Sequence, residues 1–166
     1  LREFIEKADI PCATTFLGLS AVPSNHPLNK GILGMHGNLG PNVMTNQCDL
    51  LIAVGMRFDD RVTGNLATYA KQAKIIHFDI DASEFNKNVK IDLGVLGNCK
   101  DTLKAVTALI DETKHSSWSN GFEPYKEKEY NSKYERTKYH FKSKTGYPRI
   151  FCGGRKLSSL FSGHAC

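Results

Sequence analysis

The sequence predicts an α/β protein built on a doubly wound, mostly parallel sheet. Residues 50–54 form an apolar run that is continuous rather than alternating, which is typical of a strand buried on both faces of a parallel sheet, and residues 75–78 predict the next strand. Strand-like and helix-like segments alternate between residues 12 and 114, the order that a doubly wound fold requires. Glycines or acidic residues follow the predicted strands closely, as expected at the edge where such sheets bind ligands.

The elements can be assigned in order along the chain. Charged residues around Phe4 and Ile5 predict an amphipathic helix that Pro11 stops. Helix 99–114 repeats apolar residues near a spacing of 3.6, with Asn98 as its predicted N-cap. The other predicted elements are strand 12–16, a short apolar element at 32–33, helical turns at 41–47, strand 50–54, helix 64–72, strand 75–78 and a weaker strand at 91–96.

Composition excludes several classes of protein. The chain has 166 residues, 40% of them hydrophobic, and a net charge of +5, enough apolar material for one ordinary core. The sequence lacks a run of roughly 18 apolar residues, so no membrane span is predicted. Its five cysteines are odd in number, widely spaced and without a C-x-x-C pair. This pattern predicts neither a disulfide framework nor a metal site, and it favours a reducing compartment.

Charge and aromatic content divide the chain near Lys114. Residues 1–114 carry 12 basic and 13 acidic side chains, whereas residues 115–166 carry 10 basic, 4 acidic and 10 of the 16 aromatic side chains. We therefore predict a domain at 1–114, a basic, aromatic-rich linker at 115–145, and a tail at 146–166 whose native or non-native origin stays open. The basic residues are interrupted by acids, which favours a solvated linker over nucleic-acid binding.

Polar residues behind the predicted strands favour a nucleotide site. Arg57 and Arg61 can bind a diphosphate through their guanidinium groups, and Asp79 directly follows a strand, where doubly wound folds bind a ribose. His36 lies between Gly34 and Gly37 and can contact a ring. Each feature alone is better explained by a turn, a surface ion pair or a capping residue, but their occurrence at successive strand ends makes dinucleotide binding an equally good explanation.

Motifs of catalysis are missing from the sequence. It contains no G-x-S-x-G, no G-x-x-x-x-G-K-[ST] and no H-E-x-x-H pattern. Asp59 and Asp60 are adjacent, so their side chains are expected to diverge rather than form an acid/base pair. The residues therefore predict a binding domain with no catalytic and no metal-binding residues.

Four segments resemble one enzyme family. They are LGMHG at 33–37, CDLLIAVGMRFDDRVTG at 48–64, AKIIHFDID at 73–81, and Glu84 with Lys87-Asn88. These segments closely resemble the catalytic large subunit of acetolactate synthase (acetohydroxyacid synthase), a thiamine-diphosphate enzyme, and VGMRFDDRVTG is highly specific for it. The resemblance covers about residues 1–114 and matches the family's central, FAD-binding domain.

The resemblance implies an activity for the whole enzyme. Acetolactate synthases condense two pyruvate molecules, or pyruvate and 2-oxobutyrate, with loss of CO2, in branched-chain amino-acid biosynthesis. Thiamine diphosphate and Mg²⁺ are bound by the outer domains, and an FAD with a largely structural role is bound by the central one. The family further implies a homo-oligomer, a regulatory small subunit, no membrane association, and a cytoplasmic location or an organellar one in a eukaryote.

The resemblance also implies which residues contact FAD. They lie after successive strands of the predicted sheet and comprise Thr15, Phe16, Leu33, Gly34, Met35, His36, Gly55, Arg57, Asp59, Arg61, Val62, Asp79, Ile80, Gly97 and Asn98, with Cys99 nearby.

Some features depart from the family pattern. Asn98 stands where the family usually has Asp, and the family's first central-domain strand should precede Leu1. We therefore expect an N-terminally truncated domain that is marginally stable and binds FAD weakly, and that is inactive alone because the family's catalytic Glu and its Mg²⁺ motif are missing from this segment. The alternatives are the central domain of another thiamine-diphosphate enzyme, such as a glyoxylate carboligase or pyruvate oxidase, or a free-standing nucleotide-binding module.

Overall fold

A computed structural model describes residues 1–140, with side chains up to residue 132. The described residues divide into two units, one of residues 1–129 and one that begins at residue 130. The elements are α1 (Arg2–Ala8), β1 (Cys12–Thr14), β2 (Asn29–Ile32), α2 (Leu39–Thr45), β3 (Leu50–Val54), α3 (Asp60–Thr63), β4 (Lys74–Asp79), β5 (Leu93–Leu96), α4 (Cys99–Leu109), α5 (Ser116–Asn120) and α6 (Glu123–His140), with 3-10 turns at Phe16–Gly18 and Ala82–Glu84.

The predicted domain boundary near residue 114 and the linker at 115–145 stay predictions. The predicted tail at 146–166 and the last residues of that linker lie outside the described part of the chain. Within the described part, no helix is both long and apolar enough to cross a bilayer.

The α/β class with parallel strands is confirmed, but the described strands form two sheets rather than one. β1 pairs with β2, and β3, β4 and β5 pair in that order, all in parallel. The ladder between β3 and β4 runs without interruption from Leu50 opposite Lys74 to Val54 opposite Phe78. The ladder of the smaller sheet shifts its register between Cys12 and Thr14.

Both faces of the three-stranded sheet are covered by apolar side chains. On one face Phe78 packs in a cluster with Phe4 of α1 and Leu103 of α4. On the other face Ala53 and Ile75 pack with a second cluster from the chain that follows β3. This arrangement explains why the run in β3 is apolar throughout rather than at every second residue.

The predicted helix at 64–72 is wrong, because residues 66–72 form turns. Asn46 accepts a hydrogen bond from the backbone N–H of Ala70 at 2.8 Å, and Gln72 donates to the carbonyl of Cys48 at 2.7 Å. Ala70 also has a φ of 44°, which ends a right-handed helix. Contacts with the chain before β3 therefore override the local helical spacing. The helix in this region is α3, which the sequence did not predict.

The predicted helix at 99–114 begins as expected but ends early. Asn98 is its N-cap, with a side chain that accepts from the backbone N–H of Lys100. The helix ends at Leu109, and the chain beyond it is held against α1, where the hydroxyl of Thr113 donates to the carbonyl of Ala8 at 2.6 Å. Because this tertiary hydrogen bond holds the chain after Leu109 against α1, it competes with continuation of the helix.

Candidate functional site

The carboxyl ends of β3, β4 and β5 lie side by side. The backbone N–H of Gly55 donates to the carbonyl of Phe78 at 2.8 Å, and that of Gly97 donates to the carbonyl of Asp79 at 2.9 Å. A Cβ on Gly55 would lie 3.6 Å from Sγ of Cys99, the first residue of α4. Three strand ends and one helix start thus meet at a single edge, as in other open α/β sheets.

The end of the smaller sheet is joined to α3. The backbone N–H of Leu33 donates to the carbonyl of Thr14 at 2.9 Å, and that of Met35 donates to the carbonyl of Arg61 at 2.7 Å. Gly34 has a φ of 111°, and a Cβ there would lie only 2.7 Å from the oxygen of Arg61. Only glycine therefore allows this close approach of the two backbones.

The segment between β3 and α3 presents charge to solvent at this edge. Arg57 is exposed and its Nη2 lies 3.8 Å from Oδ2 of Asp59, a surface contact that contributes little stability. Asp59 is the N-cap of α3, with Oδ1 accepting from the N–H of Val62 at 3.2 Å. Asn88 anchors the segment from behind by donating to the carbonyl of Phe58 at 2.8 Å. The backbone of this segment is thus fixed, while the guanidinium of Arg57 is exposed to solvent beside Asp59, where an anion can reach it.

Asp79 is a buried carboxylate at the end of β4. Its Oδ1 accepts from the backbone N–H of Asp81 at 2.9 Å, and its Oδ2 lies 3.5 Å from Nε2 of His77. Burial raises the pKa of the nearby Cys99 thiol, and the negative charge of Asp79 raises it further. The raised pKa favours the protonated thiol, so Asp79 is the acidic group at this point of the edge.

Apolar side chains are exposed around the same edge. Phe16, Met35 and Ile80 are 74%, 69% and 71% exposed. Ile80 directly follows β4, Phe16 lies two residues after β1 and Met35 lies three residues after β2, so apolar surface is exposed near each of these strand ends. An aromatic ring placed here would remove this surface from water.

The structure sorts the predicted site residues into neighbouring groups. The first, at the end of the three-stranded sheet, comprises Gly55, Asp79, Ile80, Gly97 and Asn98. The second, at the end of the two-stranded sheet, comprises Thr15, Phe16, Leu33, Gly34, Met35 and His36. The third, in and before α3, comprises Arg57, Asp59, Arg61 and Val62; the bond from Met35 to Arg61 joins it to the second group, and the chain that follows Gly55 joins it to the first.

Within the part of the chain that the structure describes, no hydrogen bond or ion pair joins the side chains of His36, Arg57 and Asp79 to one another. The binding role of these residues stays a prediction. The same part of the chain contains no cluster of three or more His, Cys, Asp or Glu side chains able to hold a metal ion.

Sequence reasoning missed His77, which the structure places beneath this edge. Its side chain is fully buried, and Nε2 lies 3.0 Å from the carbonyl oxygen of Met56. The sequence did contain a signal for His77. It lies in a strand two residues before Asp79, so the two side chains are on the same face of the sheet.

A known protein family matches most of the chain. Residues 1–106 match the family model described as the thiamine pyrophosphate enzyme, central domain. The chain belongs to this family. The central-domain fold expected from the sequence motifs is therefore confirmed.

Its relatives include acetolactate synthases from distant organisms. The chain is 44% identical over 110 residues to a probable acetolactate synthase large subunit of Methanocaldococcus jannaschii, covering 66% of this chain and 18% of that protein. It is 50% identical over 98 residues to the large subunit of Parasynechococcus marenigrum, covering 59% and 16%. It is 42% identical over 132 residues to the chloroplastic acetolactate synthase 1 of Oryza sativa, covering 76% and 20%.

These matches confirm the resemblance seen in the motifs. The chain spans about a fifth of the length of these relatives or less.

Proposed function

We propose that this chain is the central part of an acetolactate synthase catalytic subunit and that it binds FAD there without supplying catalytic groups. The observation that supports this most directly is the shared edge of strand ends, where a buried acid, exposed guanidinium groups and exposed apolar side chains occur together. The names of the relatives above favour acetolactate synthase over the glyoxylate carboligase or pyruvate oxidase alternatives.

The residues at this edge fit a flavin dinucleotide. Gly34 and Gly55 have positive φ angles, a conformation that glycine adopts readily, so both residues turn the chain sharply beside the proposed ligand site. The donor set provides cations for a diphosphate, a carboxylate for ribose hydroxyls and apolar surface for rings. FAD bound here supplies a structural element rather than a redox step, in keeping with the family resemblance.

We assign the individual roles as the family resemblance implies them. Arg57 and Arg61 bind the diphosphate, with Gly55, Asp59 and Val62 shaping the backbone around it. Asp79 and Ile80 contact the adenosine end, beside Gly97 and Asn98. The flavin side is formed by Thr15, Phe16, Leu33, Gly34, Met35 and His36.

The activity of the whole enzyme belongs to the same proposal. Thiamine diphosphate and Mg²⁺ would be held by other domains, which would condense two pyruvate molecules, or pyruvate and 2-oxobutyrate, to the acetohydroxy acid. The relatives named "large subunit" are consistent with a regulatory small subunit as partner. A homo-oligomer in the cytoplasm, or in an organelle of a eukaryote, completes the proposal.

A titration of the ¹⁵N-labelled 166-residue chain with FAD, followed by amide NMR, tests FAD binding and detects even weak complexes. We expect the shifts to concentrate in residues 33–36, 55–62, 79–81 and 97–98. The substitution Arg57→Ala should weaken binding, whereas Lys71→Ala, on the exposed chain before β4, should not. Shifts confined to the opposite ends of the strands, or no shifts at millimolar FAD, would contradict the proposal.

A further inference from the structure

His77 links two neighbouring strand ends of the three-stranded sheet. Its Nε2 lies 3.0 Å from the carbonyl oxygen of Met56, in the segment behind β3, and 3.5 Å from Oδ2 of Asp79, at the end of β4. His77 and Asp79 are two residues apart on one strand, so their side chains project from the same face. One imidazole nitrogen therefore faces acceptors from both loops that form the edge.

The acceptors determine which tautomer this histidine adopts. A backbone carbonyl and a carboxylate can only accept, so Nε2 must hold the hydrogen and donate it. Nδ1 is then an acceptor, and it is buried without a hydrogen-bond partner in the described part of the chain. Phe58 and Phe85 pack against the ring, with centroids 5.1 and 5.3 Å away.

We propose that His77 is a positioning residue of the nucleotide site: its Nε2–H donates to the carbonyl of Met56, and the same N–H dipole, 3.5 Å from Oδ2 of Asp79, orients that carboxylate electrostatically. This proposal rests on the proposed function, because Asp79 and the segment with Arg57 are the groups offered to the nucleotide. The bond to Met56 fixes the segment from one side, and the bond from Asn88 to Phe58 fixes it from the other. Asp79 is held between His77 and the N–H of Asp81.

Two substitutions separate the hydrogen bond from the bulk of the ring. Glutamine places its Nε2 the same number of bonds from Cα as histidine does, so His77→Gln keeps a donor toward Met56 and Asp79, whereas His77→Leu removes it. Phe85→Leu is the matched control, because it trims the same cluster but leaves the donor in place. ADP is the probe, since it offers the ribose and diphosphate alone.

We expect His77→Leu to weaken ADP binding roughly tenfold, as the loss of one buried donor implies, and His77→Gln to restore it to within about twofold of the original chain. Phe85→Leu should lower the melting temperature but leave ADP affinity unchanged. Equal weakening in His77→Gln and His77→Leu, or an equal loss in Phe85→Leu, would overturn the positioning role and leave only a packing role.

Hydrogen exchange separates this proposal from the proposed function. Without ligand, His77→Leu should speed exchange of the Asp81 amide, which Asp79 holds, relative to that of Val62, which Asp59 holds, and His77→Gln should reverse the effect. If the original chain binds neither ADP nor FAD, the nucleotide function fails while this measurement still decides whether His77 orients Asp79. Unchanged exchange would overturn the positioning role.

Should His77→Leu fail to fold, imidazole ¹⁵N NMR of the original chain provides the decisive measurement. We expect the hydrogen on Nε2 of His77, and a hydrogen on Nδ1 would overturn the proposal.

Discussion

The three-stranded sheet of β3, β4 and β5 and the two-stranded sheet of β1 and β2 contribute to the same edge in different ways. The larger sheet has an unbroken ladder between β3 and β4 and apolar clusters on both faces. The smaller one shifts register within three residues, and all four residues of β2 are only half-buried. The larger sheet thus provides a rigid base for Asp79, whereas the smaller one provides exposed side chains such as Phe16 and Met35.

This difference suggests a division of labour. Fixed polar groups, which must be held at hydrogen-bonding distance, come from the well-packed sheet, where burial restrains them. In the proposed site, the exposed apolar side chains Phe16 and Met35 follow the less regular sheet, whereas Ile80 follows the larger one. The Met35 to Arg61 bond joins the two parts.

The largest expected effect comes from the same change, isoleucine to alanine, made once in each sheet. Ile75→Ala in β4 removes a side chain that is buried in the second cluster, and it should reduce the free energy of unfolding by about 3–4 kcal/mol. Ile32→Ala in β2, where the side chain is half-buried, should cost about 1–2 kcal/mol. Urea denaturation of both variants measures the difference, and equal losses would remove the distinction between the sheets.

The next effect tests the junction between the smaller sheet and α3. Gly34→Ala places a Cβ 2.7 Å from the carbonyl oxygen of Arg61 at a φ of 111°, and it should destabilise the fold by about 2–3 kcal/mol. Gly64→Ala also has a positive φ but meets nothing within 4 Å, so about 1 kcal/mol is expected. Thermal melts that rank the two variants alike would show that the close contact is unimportant.

The next prediction concerns the dependence of stability on pH, and it compares the thiol of Cys12 in the smaller sheet with that of Cys48 beside the larger one. Burial raises the pKa of both Cys12 in β1 and Cys48 before β3, and for Cys48 the adjacent Asp49 adds to the shift, from 9.0 to about 11. Because the unfolded thiol loses its proton first, stability from Cys48 is retained below pH 9.0 and lost as pH rises toward 11, by roughly 2 kcal/mol.

Denaturation at pH 8.5 and 10.5 checks this, with each cysteine changed to alanine in turn. Cys48→Ala should remove more of the alkaline loss than Cys12→Ala. The opposite ranking would contradict the larger pKa shift assigned to Cys48.

The smallest effect concerns a buried hydroxyl on the larger sheet. The hydroxyl of Tyr69 is buried without a hydrogen-bond partner in the described residues, and burial raises its pKa. This hydroxyl gives up its hydrogen bonds to water on folding and gains none within the described residues. Tyr69→Phe should therefore change the free energy of unfolding by less than about 0.5 kcal/mol, or increase it slightly. A calorimetric melt that showed a clear loss would reveal a partner for this hydroxyl.

Much of the larger sheet could be predicted from the sequence, because its signals are local. The run in β3 was placed at its observed bounds, and Asn98 was recognised as an N-cap from its position before a helical repeat. The residues after each strand were also recognised as candidate ligand groups, because parallel strands end at one edge.

Other features were out of reach of local patterns. The turns at 66–72 depend on Asn46 and Gln72 bonding to chain far away in sequence, which outweighs helical spacing. His77 gave only a weak signal, since its partner Met56 is 21 residues distant.

The amino-acid sequence by itself determined the α/β class, the buried strands and the family, because continuous apolar runs, capping residues and motifs act over a few neighbouring residues. Only the tertiary structure decided that the strands divide into two sheets, that Gly34 touches the backbone of Arg61, and that His77 bridges two loops. These features depend on hydrogen bonds and close contacts between distant segments, whose free energy exceeds the small preferences of the local chain.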